Sequence, residues 1–168
     1  MRVGVISDTH AKTDDDLNCL AEIARRYFKD VDIILHAGDM VNLRVLGILQ
    51  NVTRTVAVKG NMDFPEVKQT LPNKTVIELG SCKIGLMHGW GSPIGLPQRV
   101  RKEFEDVDCI VFGHSHQPFN REVEGVLLFN SGSAMYRFFV EQNSIGYLDI
   151  ICSTNKHCCK IEGSIVKI

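Results

Sequence analysis

Five apolar segments of the sequence are each followed at once by side chains that can bind a metal ion or transfer a proton. These short stretches are Asp8-Thr9-His10, Gly38-Asp39, Gly60-Asn61, His88-Gly89 and Gly113-His114-Ser115-His116. They supply two carboxylates, one amide and four imidazoles. Any one of them alone would suit a turn, a cap or a buried polar residue, but five such coincidences are improbable. The set predicts a single site of oxygen and nitrogen ligands.

The ligand types indicate which ions this site would bind. Seven ligand groups are more than a single ion usually binds, so we expect two ions with one carboxylate bridging them. Imidazole and oxygen donors without thiolate suit Mn, Fe, Co, Ni or Zn better than Ca or Mg. The spacing Asp8-x-His10 and His114-x-His116 would point both side chains of each pair to the same side of an extended backbone. Gly113 would let the chain turn close to the site.

The elements that must position these ligands follow from hydrophobic periodicity. Residues 2–7, 31–37 and 53–60 have strand character, and helical patterns separate them, one beginning at Thr13 or Asp14 and one over 42–50. This βαβαβ order predicts a parallel sheet covered by helices on both faces. Residues just past the carboxyl ends of such strands converge on the crevice where ligands bind.

The second half of the chain is richer in strands. After a connector with Pro65 and Pro72, residues 75–80 and 82–88 predict a hairpin around Gly80-Ser81. A short polar helix is expected over 98–106 and a strand over 108–113, and strand character returns at 126–133, 144–152 and 157–168. An α/β first half and a β-rich second half predict two packed sheets in one domain spanning residues 1–168.

Composition narrows the choice of partners. The 168 residues are 44% hydrophobic and 23% charged, which is ordinary for a globular protein, and the net charge is −1. A chain without a basic excess is not expected to bind long nucleic acid or an anionic membrane. The absence of a secretory signal pattern and of any apolar run of about 18 residues favours a cytoplasmic protein. The composition is also compatible with a homo-oligomer.

The cysteines give a weaker signal. Cys152, Cys158 and Cys159 lie near His157 in the tail, but their spacing is not the CxxC pattern of a zinc site. Reduced thiols are therefore expected there rather than a second metal site.

The motifs DTH, HAGD, GNMD, MHG and GHSH, in this order, resemble those of the calcineurin-like metallophosphoesterase superfamily. The short chain is similar to the small single-domain prokaryotic phosphodiesterases of that superfamily. The resemblance implies a four-layer α/β/β/α sandwich of two mixed β-sheets flanked by helices. It also implies that Asp8, His10 and His116 hold one metal ion, that Asn61, His88 and His114 hold the other, and that Asp39 bridges them.

The resemblance implies a hydrolase that acts on small organic phosphodiesters. Two ions about 3.5–4 Å apart can bind phosphate oxygens and hold a bridging water whose pKa falls to about 7. The resulting bridging hydroxide would attack phosphorus in line, while the ions and Asn61 neutralise charge on the equatorial oxygens. Asn61 and His88 are thus candidate catalytic residues as well as ligands.

Two positions depart from the family pattern. Many relatives read GNH followed by Asp or Glu, and the histidine serves as an acid near the leaving group, but this chain has Met62 there. Methionine cannot donate a proton, so we expect easy turnover of activated esters and slower attack on poor leaving groups. Asp63 keeps a carboxylate nearby and would act as the acid only with a raised pKa. Ser131 stands where the family has Pro, which leaves the conformation of that loop open.

Four further residues are weaker candidates. His36 could support the ligands from behind, or it could be a strand histidine bonded to the backbone. Trp90, in the loop 89–97 after His88, could stack on a base or aryl group, although packing is the more common role. Arg99 and Arg137 could contact phosphate, although an exposed arginine is the simpler interpretation for each.

Two alternatives to the small-diester hydrolase stay open. A non-catalytic protein-binding scaffold like the retromer small subunit shares the fold, but such a scaffold does not need ligands, and all seven are present here. A nuclease of the same superfamily is the other, weakened by the short chain and the neutral charge.

Overall fold

The computed structural model of the protein describes residues 1–135, 142–152 and 159–168. The strands in these residues are β1 (Arg2–Ile6), β2 (Ile33–His36), β3 (Thr55–Ala57), β4 (Lys74–Leu79), β5 (Cys82–Met87), β6 (Cys109–Val111), β7 (Phe119–Val123), β8 (Val126–Asn130), β9 (Ser144–Cys152) and β10 (Cys159–Lys167). The helices are α1 (Asp14–Tyr27), α2 (Arg44–Gln50), α3 (Pro65–Thr70) and α4 (Leu96–Arg101).

The strands form two five-stranded mixed sheets. The first has the order β10-β9-β1-β2-β3, in which β1, β2 and β3 are parallel and β9 and β10 are antiparallel additions. The second has the order β4-β5-β6-β8-β7, with β5, β6 and β8 parallel between two antiparallel edge strands. The predicted parallel βαβαβ unit and the predicted β4–β5 hairpin are both confirmed.

The two sheets pack face to face, and the helices cover their outer faces. The core between the sheets includes Val5 and Leu35 of the first sheet and Leu86 and Val111 of the second. Helices α1 and α2 pack together on the outer face of the first sheet, and α4 packs on the outer face of the second. This arrangement confirms the α/β/β/α sandwich. The expectation of helices on both faces of the first sheet is wrong, because the second sheet covers its inner face.

The amino end of helix α1, which follows the loop that carries His10, is well capped. The Thr13 side chain accepts the N–H of Asp16, and the Asp16 carboxylate accepts the N–H of Thr13 at 2.8 Å. Acidic residues in the first turn and Arg25 and Arg26 in the last turn complement the helix dipole. The cap therefore fixes where the loop that carries His10 ends.

Three short elements differ from the sequence-based expectations. Helix α3 begins at Pro65, where a connector was expected, and proline suits the first turn of a helix because its missing N–H has no partner there. Helix α4 is shorter than the predicted 98–106 and begins earlier, with Pro97 in its first turn. The edge strand β7 was not predicted, because its middle residues are exposed. None of the helices in the described ranges is long and apolar enough to cross a membrane.

Candidate metal centre

Seven polar side chains follow the carboxyl ends of five strands and meet between the two sheets. In the first sheet they follow β1, β2 and β3, and in the second sheet they follow β5 and β6. They are Asp8, His10, Asp39, Asn61, His88, His114 and His116. The sequence predicted a single site at the carboxyl ends of parallel strands, and the structure shows that both sheets contribute side chains to it.

One half of the centre is formed by Asp8, His10 and His116. Nε2 of His116 lies 3.2 Å from Oδ1 of Asp8 and 3.2 Å from Nε2 of His10. One ligand atom from each of the three residues lies within 4.8 Å of the others. Both histidines and the carboxylate thus face a common point, as a cation site requires.

The other half is centred on Asp39 and His88. Oδ2 of Asp39 lies 3.3 Å from Nε2 of His88 and 3.8 Å from Nε2 of His10, so this carboxylate stands between the two halves. Oδ1 of Asn61 lies 3.1 Å from Nε2 of His88 and 2.9 Å from Nδ1 of His114. Asp8, Asp39 and His88 form a second set of possible ligands, in which one ligand atom from each residue lies within 4.8 Å of the others. Carboxylate, amide and imidazole atoms without thiolate fit divalent transition metal ions.

Hydrogen bonds behind the ligands orient them. Nδ1 of His88 contacts the carbonyl oxygen of Ala37 at 2.8 Å, and Nε2 of His114 contacts that of Gly91 at 2.7 Å. Each carbonyl must accept an N–H, so in the neutral ring the opposite nitrogen is unprotonated and faces the site. Asp8 is held by the hydroxyl of Ser7 at 2.6 Å.

The backbone of the ligand loops is left-handed at five of the seven residues. The φ angles are 52° at Asp8, 47° at His10, 56° at Asp39, 71° at His114 and 58° at His116. The expectation of extended backbone across the two i, i+2 pairs is therefore wrong. Left-handed backbone is costly for residues with a Cβ atom, so the surrounding contacts must impose it. Two such contacts run from the N–H groups of Asp8 and His10 to the carbonyl oxygens of Gly38 and Asp39, at 3.1 and 3.0 Å.

The charges of the centre are strongly coupled. Burial acts to raise the pKa of Asp8 and of Asp39, but hydrogen bonds and the charges of nearby histidines outweigh it and lower both. Burial acts to lower the pKa of His88, but the hydrogen bond to Asp39 and the charges of Asp8 and Asp39 raise it to about 9. Without a metal ion, a protonated His88 thus compensates part of the buried negative charge.

Gly113 is required by close packing. A Cβ atom at this position would lie 2.8 Å from Oδ2 of Asp8 and 3.0 Å from the carbonyl oxygen of Ala37. Those separations are too short for carbon, so only glycine lets the end of β6 approach the loop after β1. The expectation for this residue is confirmed.

His36 lies behind the ligand loops and is fully buried. Its Nδ1 accepts the N–H of Gly38 at 3.1 Å, so Nε2 carries the proton and donates to Oγ1 of Thr9 at 3.1 Å. Burial lowers the pKa of His36 to about 4, and the nearby Asp63 and Asp8 charges offset this only in part. A neutral His36 thus joins the loop after β1 to the loop after β2.

Asp63 has a role that the sequence analysis missed. Its Oδ1 accepts the N–H of Val41 at 2.6 Å, and its Oδ2 accepts the N–H of Gly60 at 2.7 Å. The carboxylate is buried and joins the loop that carries Asp39 to the loop that carries Asn61. These contacts favour a structural role over that of an acid. No local pattern indicated this role, because Val41 lies 22 residues before Asp63 in the sequence.

The NSGS segment after β8 also supports the centre. Asn130 donates from its side-chain amide to the carbonyl oxygen of Gly113 at 2.8 Å, and Ser133 donates from its hydroxyl to that of Asp8 at 2.8 Å. Ser131 is buried, and its carbonyl oxygen accepts the hydroxyl of Ser144 at 2.6 Å. Only Ser131 of this segment was considered from the sequence, and no role was predicted for Asn130 or Ser133.

Arg99 holds the loop that contains Trp90. Its guanidinium donates to the carbonyl oxygens of Trp90 and Ile94, each at 2.9 Å, and to that of Ser92. The idea that Arg99 contacts phosphate is therefore not favoured.

Trp90 is 44% exposed and lines a cavity of about 860 Å³ together with Asn61 and His88. Arg137, His157 and Cys158 lie outside the described residues. A phosphate contact of Arg137 and a metal site in the tail therefore stay untested.

Comparisons with known proteins identify the family and the fold of this chain. The model of the calcineurin-like phosphoesterase superfamily domain matches residues 1–152. A probable metallophosphoesterase of Methanothermobacter thermautotrophicus is 38% identical over 135 residues, which are 79% of this chain and 77% of that protein. A phosphodiesterase of Methanocaldococcus jannaschii is 26% identical over 161 residues, 89% of this chain and 93% of that protein. The crystal structure of Vps29 with Zn²⁺ from Entamoeba histolytica is 28% identical, with a TM-score of 0.66 and 99% of each chain covered.

Proposed function

This chain belongs to the calcineurin-like phosphoesterase superfamily, and we propose that it is a phosphodiesterase that hydrolyses small organic phosphodiesters with two divalent metal ions. The observation that carries the proposal is the position of Asp39, whose Oδ2 lies between Nε2 of His88 and Nε2 of His10. A carboxylate between two groups of ligands is the arrangement that a pair of ions needs. The similarity to a phosphodiesterase of M. jannaschii supports the same reaction class.

In this proposal the seven ligands divide as the motifs imply. Asp8, His10 and His116 hold one ion, Asn61, His88 and His114 hold the other, and Asp39 bridges them. Mn is the expected ion, with Ni, Co, Fe or Zn as alternatives. When bound, such ions would polarise the phosphate oxygens and lower the pKa of a water molecule enough for it to attack phosphorus.

The side chains of the protein would orient the substrate. Asn61 presents its Oδ1 to His88 and His114, which leaves its NH₂ group to donate to an equatorial oxygen of the phosphate. Met62 is 55% exposed beside it and has no proton to give. Because Asp63 is engaged by two backbone N–H groups, protonation of the leaving group falls to solvent, which favours substrates with stable leaving groups.

A second candidate function is a non-catalytic scaffold. The similarity to Vps29, which is named as a vacuolar sorting protein and not as a hydrolase, favours it, and the structure from E. histolytica was solved with Zn²⁺, so metal binding alone does not separate the two functions. Turnover does. A nuclease is the third candidate, and faster hydrolysis of a long defined oligonucleotide than of a dinucleotide by the same centre would identify it.

The proposal is tested by hydrolysis of bis(p-nitrophenyl) phosphate and of p-nitrophenyl phosphate. The protein is first treated with a chelator and then given Mn, Ni, Co, Zn or Mg singly. We expect a metal to restore cleavage, with the diester preferred. No turnover with any metal, in protein that is folded by circular dichroism, overturns the phosphodiesterase and favours the scaffold.

Two variants and a matched control locate the activity. Asp39→Asn and His114→Ala should each lower kcat/KM by roughly 100-fold or more, because even residues behind metal ligands cost about 10–100-fold when changed. Asp32→Asn is the control, since Asp32 also accepts a backbone N–H, that of Arg2, but lies at the opposite end of β2. It should keep the parent activity. Equal losses in all three variants would indicate a folding defect rather than a lost ligand.

A further inference from the structure

The cavity beside Asn61 and His88 carries positive charge that a simple diester does not use. Its volume of about 860 Å³ is within the range of pockets that bind small molecules, roughly 300–1,000 Å³. Besides the proposed ligand His88, the ionisable residues that line it are Lys59, Lys68, Lys74 and Glu103. Nζ of Lys74 lies 2.8 Å from the Glu103 carboxylate, so these two charges neutralise each other. Lys59 and Lys68 leave the cavity with an excess of two positive charges.

These two lysines are held in place by backbone oxygens rather than by carboxylates. Nζ of Lys59 donates to the carbonyl oxygen of Lys68 at 2.8 Å, and Nζ of Lys68 donates to that of Asn61 at 2.7 Å. The ion pairs that lysines form in the described residues involve Lys29, Lys74, Lys83 and Lys160, not these two. Each ammonium group has three N–H donors, so each keeps donors for an anion.

Trp90 adds an aromatic surface to the same cavity. Its side chain is 44% exposed, although tryptophan is usually more deeply buried. Its backbone is fixed by the Arg99 guanidinium, so the ring is presented from an ordered loop. Exposed aromatic rings on a positively charged groove are platforms on which nucleic acid bases stack.

We propose that Lys59, Lys68 and Trp90 form a nucleotide subsite, and that the substrate is a short nucleotidyl diester that carries a second phosphate. The scissile diester would lie at the candidate metal centre, the second phosphate at the two lysines and its base against Trp90. The inference rests on the proposed function, since that places the scissile phosphate. Lysine suits this role because it binds phosphate as a compact cation. The link from Lys68 to Asn61 puts the subsite directly beside a proposed ligand.

Binding is measured separately from hydrolysis by tryptophan fluorescence. Trp90 is the single tryptophan of the chain, so its emission reports on this cavity. Protein in chelator and protein with Zn²⁺ are titrated with the deoxydinucleotide d(ApA) and with its 5′- and 3′-phosphorylated forms. We expect one phosphorylated form to bind at least about tenfold more tightly than d(ApA) and to quench the emission. The kcat/KM values of the metal-loaded enzyme should follow the same order.

Charge-removing variants assign the preference to the two lysines. Lys59→Met and Lys68→Met keep the aliphatic stem and should each reduce the preference for the phosphorylated form several-fold. Lys29→Met is the matched control, because Lys29 follows the carboxyl end of α1, at the end of the first sheet opposite the candidate metal centre. It should keep the parent preference.

The outcomes separate this inference from the proposed function. Equal affinity for all three dinucleotides, with and without metal, overturns the subsite even if aryl diesters are cleaved. A preference that persists in both lysine variants overturns the assignment to Lys59 and Lys68. A preference that the variants abolish, in protein that cleaves no diester, supports the subsite and overturns the phosphodiesterase.

Discussion

Oδ2 of Asp39 lies 3.3 Å from Nε2 of His88, and the two residues belong to different sheets. Asp39 follows β2 of the first sheet, whereas His88 follows β5 of the second. The other ring nitrogen of His88 contacts the carbonyl oxygen of Ala37, also just after β2. The centre therefore ties the two sheets together at one end of the sandwich. Changes to it should alter the free energy of unfolding as well as activity.

Asp63→Asn should weaken the loops that carry Asp39 and Asn61. The carboxylate accepts two backbone N–H groups in a buried position, and an asparagine keeps only one oxygen for them. Hydrogen bonds to charged groups contribute about 1.5–3 kcal/mol each, so we expect the free energy of unfolding to fall by about 2 kcal/mol. Metal affinity should fall about 10–100-fold. Urea unfolding and metal titration measure these changes.

The same variant separates a structural Asp63 from an acid. If Asp63 supports the loops, the loss of kcat/KM should be the same for a p-nitrophenyl leaving group and for an alkyl leaving group. A larger loss with the alkyl leaving group would instead mean that Asp63 donates a proton.

Gly113→Ala should destabilise the protein and disrupt the centre. The new methyl group would lie 2.8 Å from Oδ2 of Asp8, and the buried loops have little room to move. We expect a loss of roughly 1–3 kcal/mol, typical of overpacking, together with weaker metal binding. Gly47→Ala is the control, since nothing lies within 4 Å of its added Cβ. Gly47 lies inside α2, where alanine should stabilise by about 0.4–1 kcal/mol. Similar changes in both variants would contradict the packing argument.

Met62→His should improve attack on esters with poor leaving groups. Met62 is exposed beside Asn61, and its N–H donates to Oδ1 of Asp39 at 2.7 Å, so its backbone is fixed while its side chain has space. A general acid contributes about 10²–10⁴-fold in favourable geometry, and we expect at least about tenfold in kcat for an alkyl diester. Met62→Gln is the control because it has similar size without an acid. An equal gain from both substitutions, or none from histidine, would count against a missing acid.

His36 should make stability depend on pH in the weakly acidic range. Burial lowers its pKa from the usual 6.5 to about 4, so the unfolded chain binds a proton that the folded chain refuses. The stability is fully present above pH 6.5 and is lost as the pH falls towards 4, at up to about 1.4 kcal/mol per pH unit. Denaturant unfolding of chelated protein between pH 7 and 4 should show this slope. In His36→Gln it should be reduced, and an unchanged slope would contradict the assignment.

The sequence predicted the fold well because the signals it depends on are local. Periods of two and 3.6 residues marked β1, α1, β2 and α2, and the order of these elements determined the parallel sheet. Helix α3 was missed because Pro65 and Pro72 suggested a connector, although Pro65 sits in the first turn. Strand β7 was missed because an exposed edge strand lacks a buried face.

The clustering of the seven side chains was predictable from the sequence, but their geometry was not. The residue types after each strand identified the seven side chains, since the carboxyl ends of parallel strands must converge. Their left-handed backbone depends on contacts between distant loops, such as that from the N–H of Asp8 to the oxygen of Gly38, which no local pattern encodes. The structural role of Asp63 and the lysine pair beside Asn61 depend on tertiary contacts in the same way.

The left-handed backbone at the proposed ligands has a consequence for how such proteins can diverge. An L-residue in this conformation costs about 1–2 kcal/mol, and glycine does not bear this cost. Five of the eight non-glycine residues with positive φ in the described ranges are proposed ligands, so the strain is concentrated where the metal would bind. Selection for stability alone would therefore favour replacement of the ligands. We therefore expect a descendant that no longer needed the proposed hydrolysis to lose the candidate metal ligands first and to keep its sandwich.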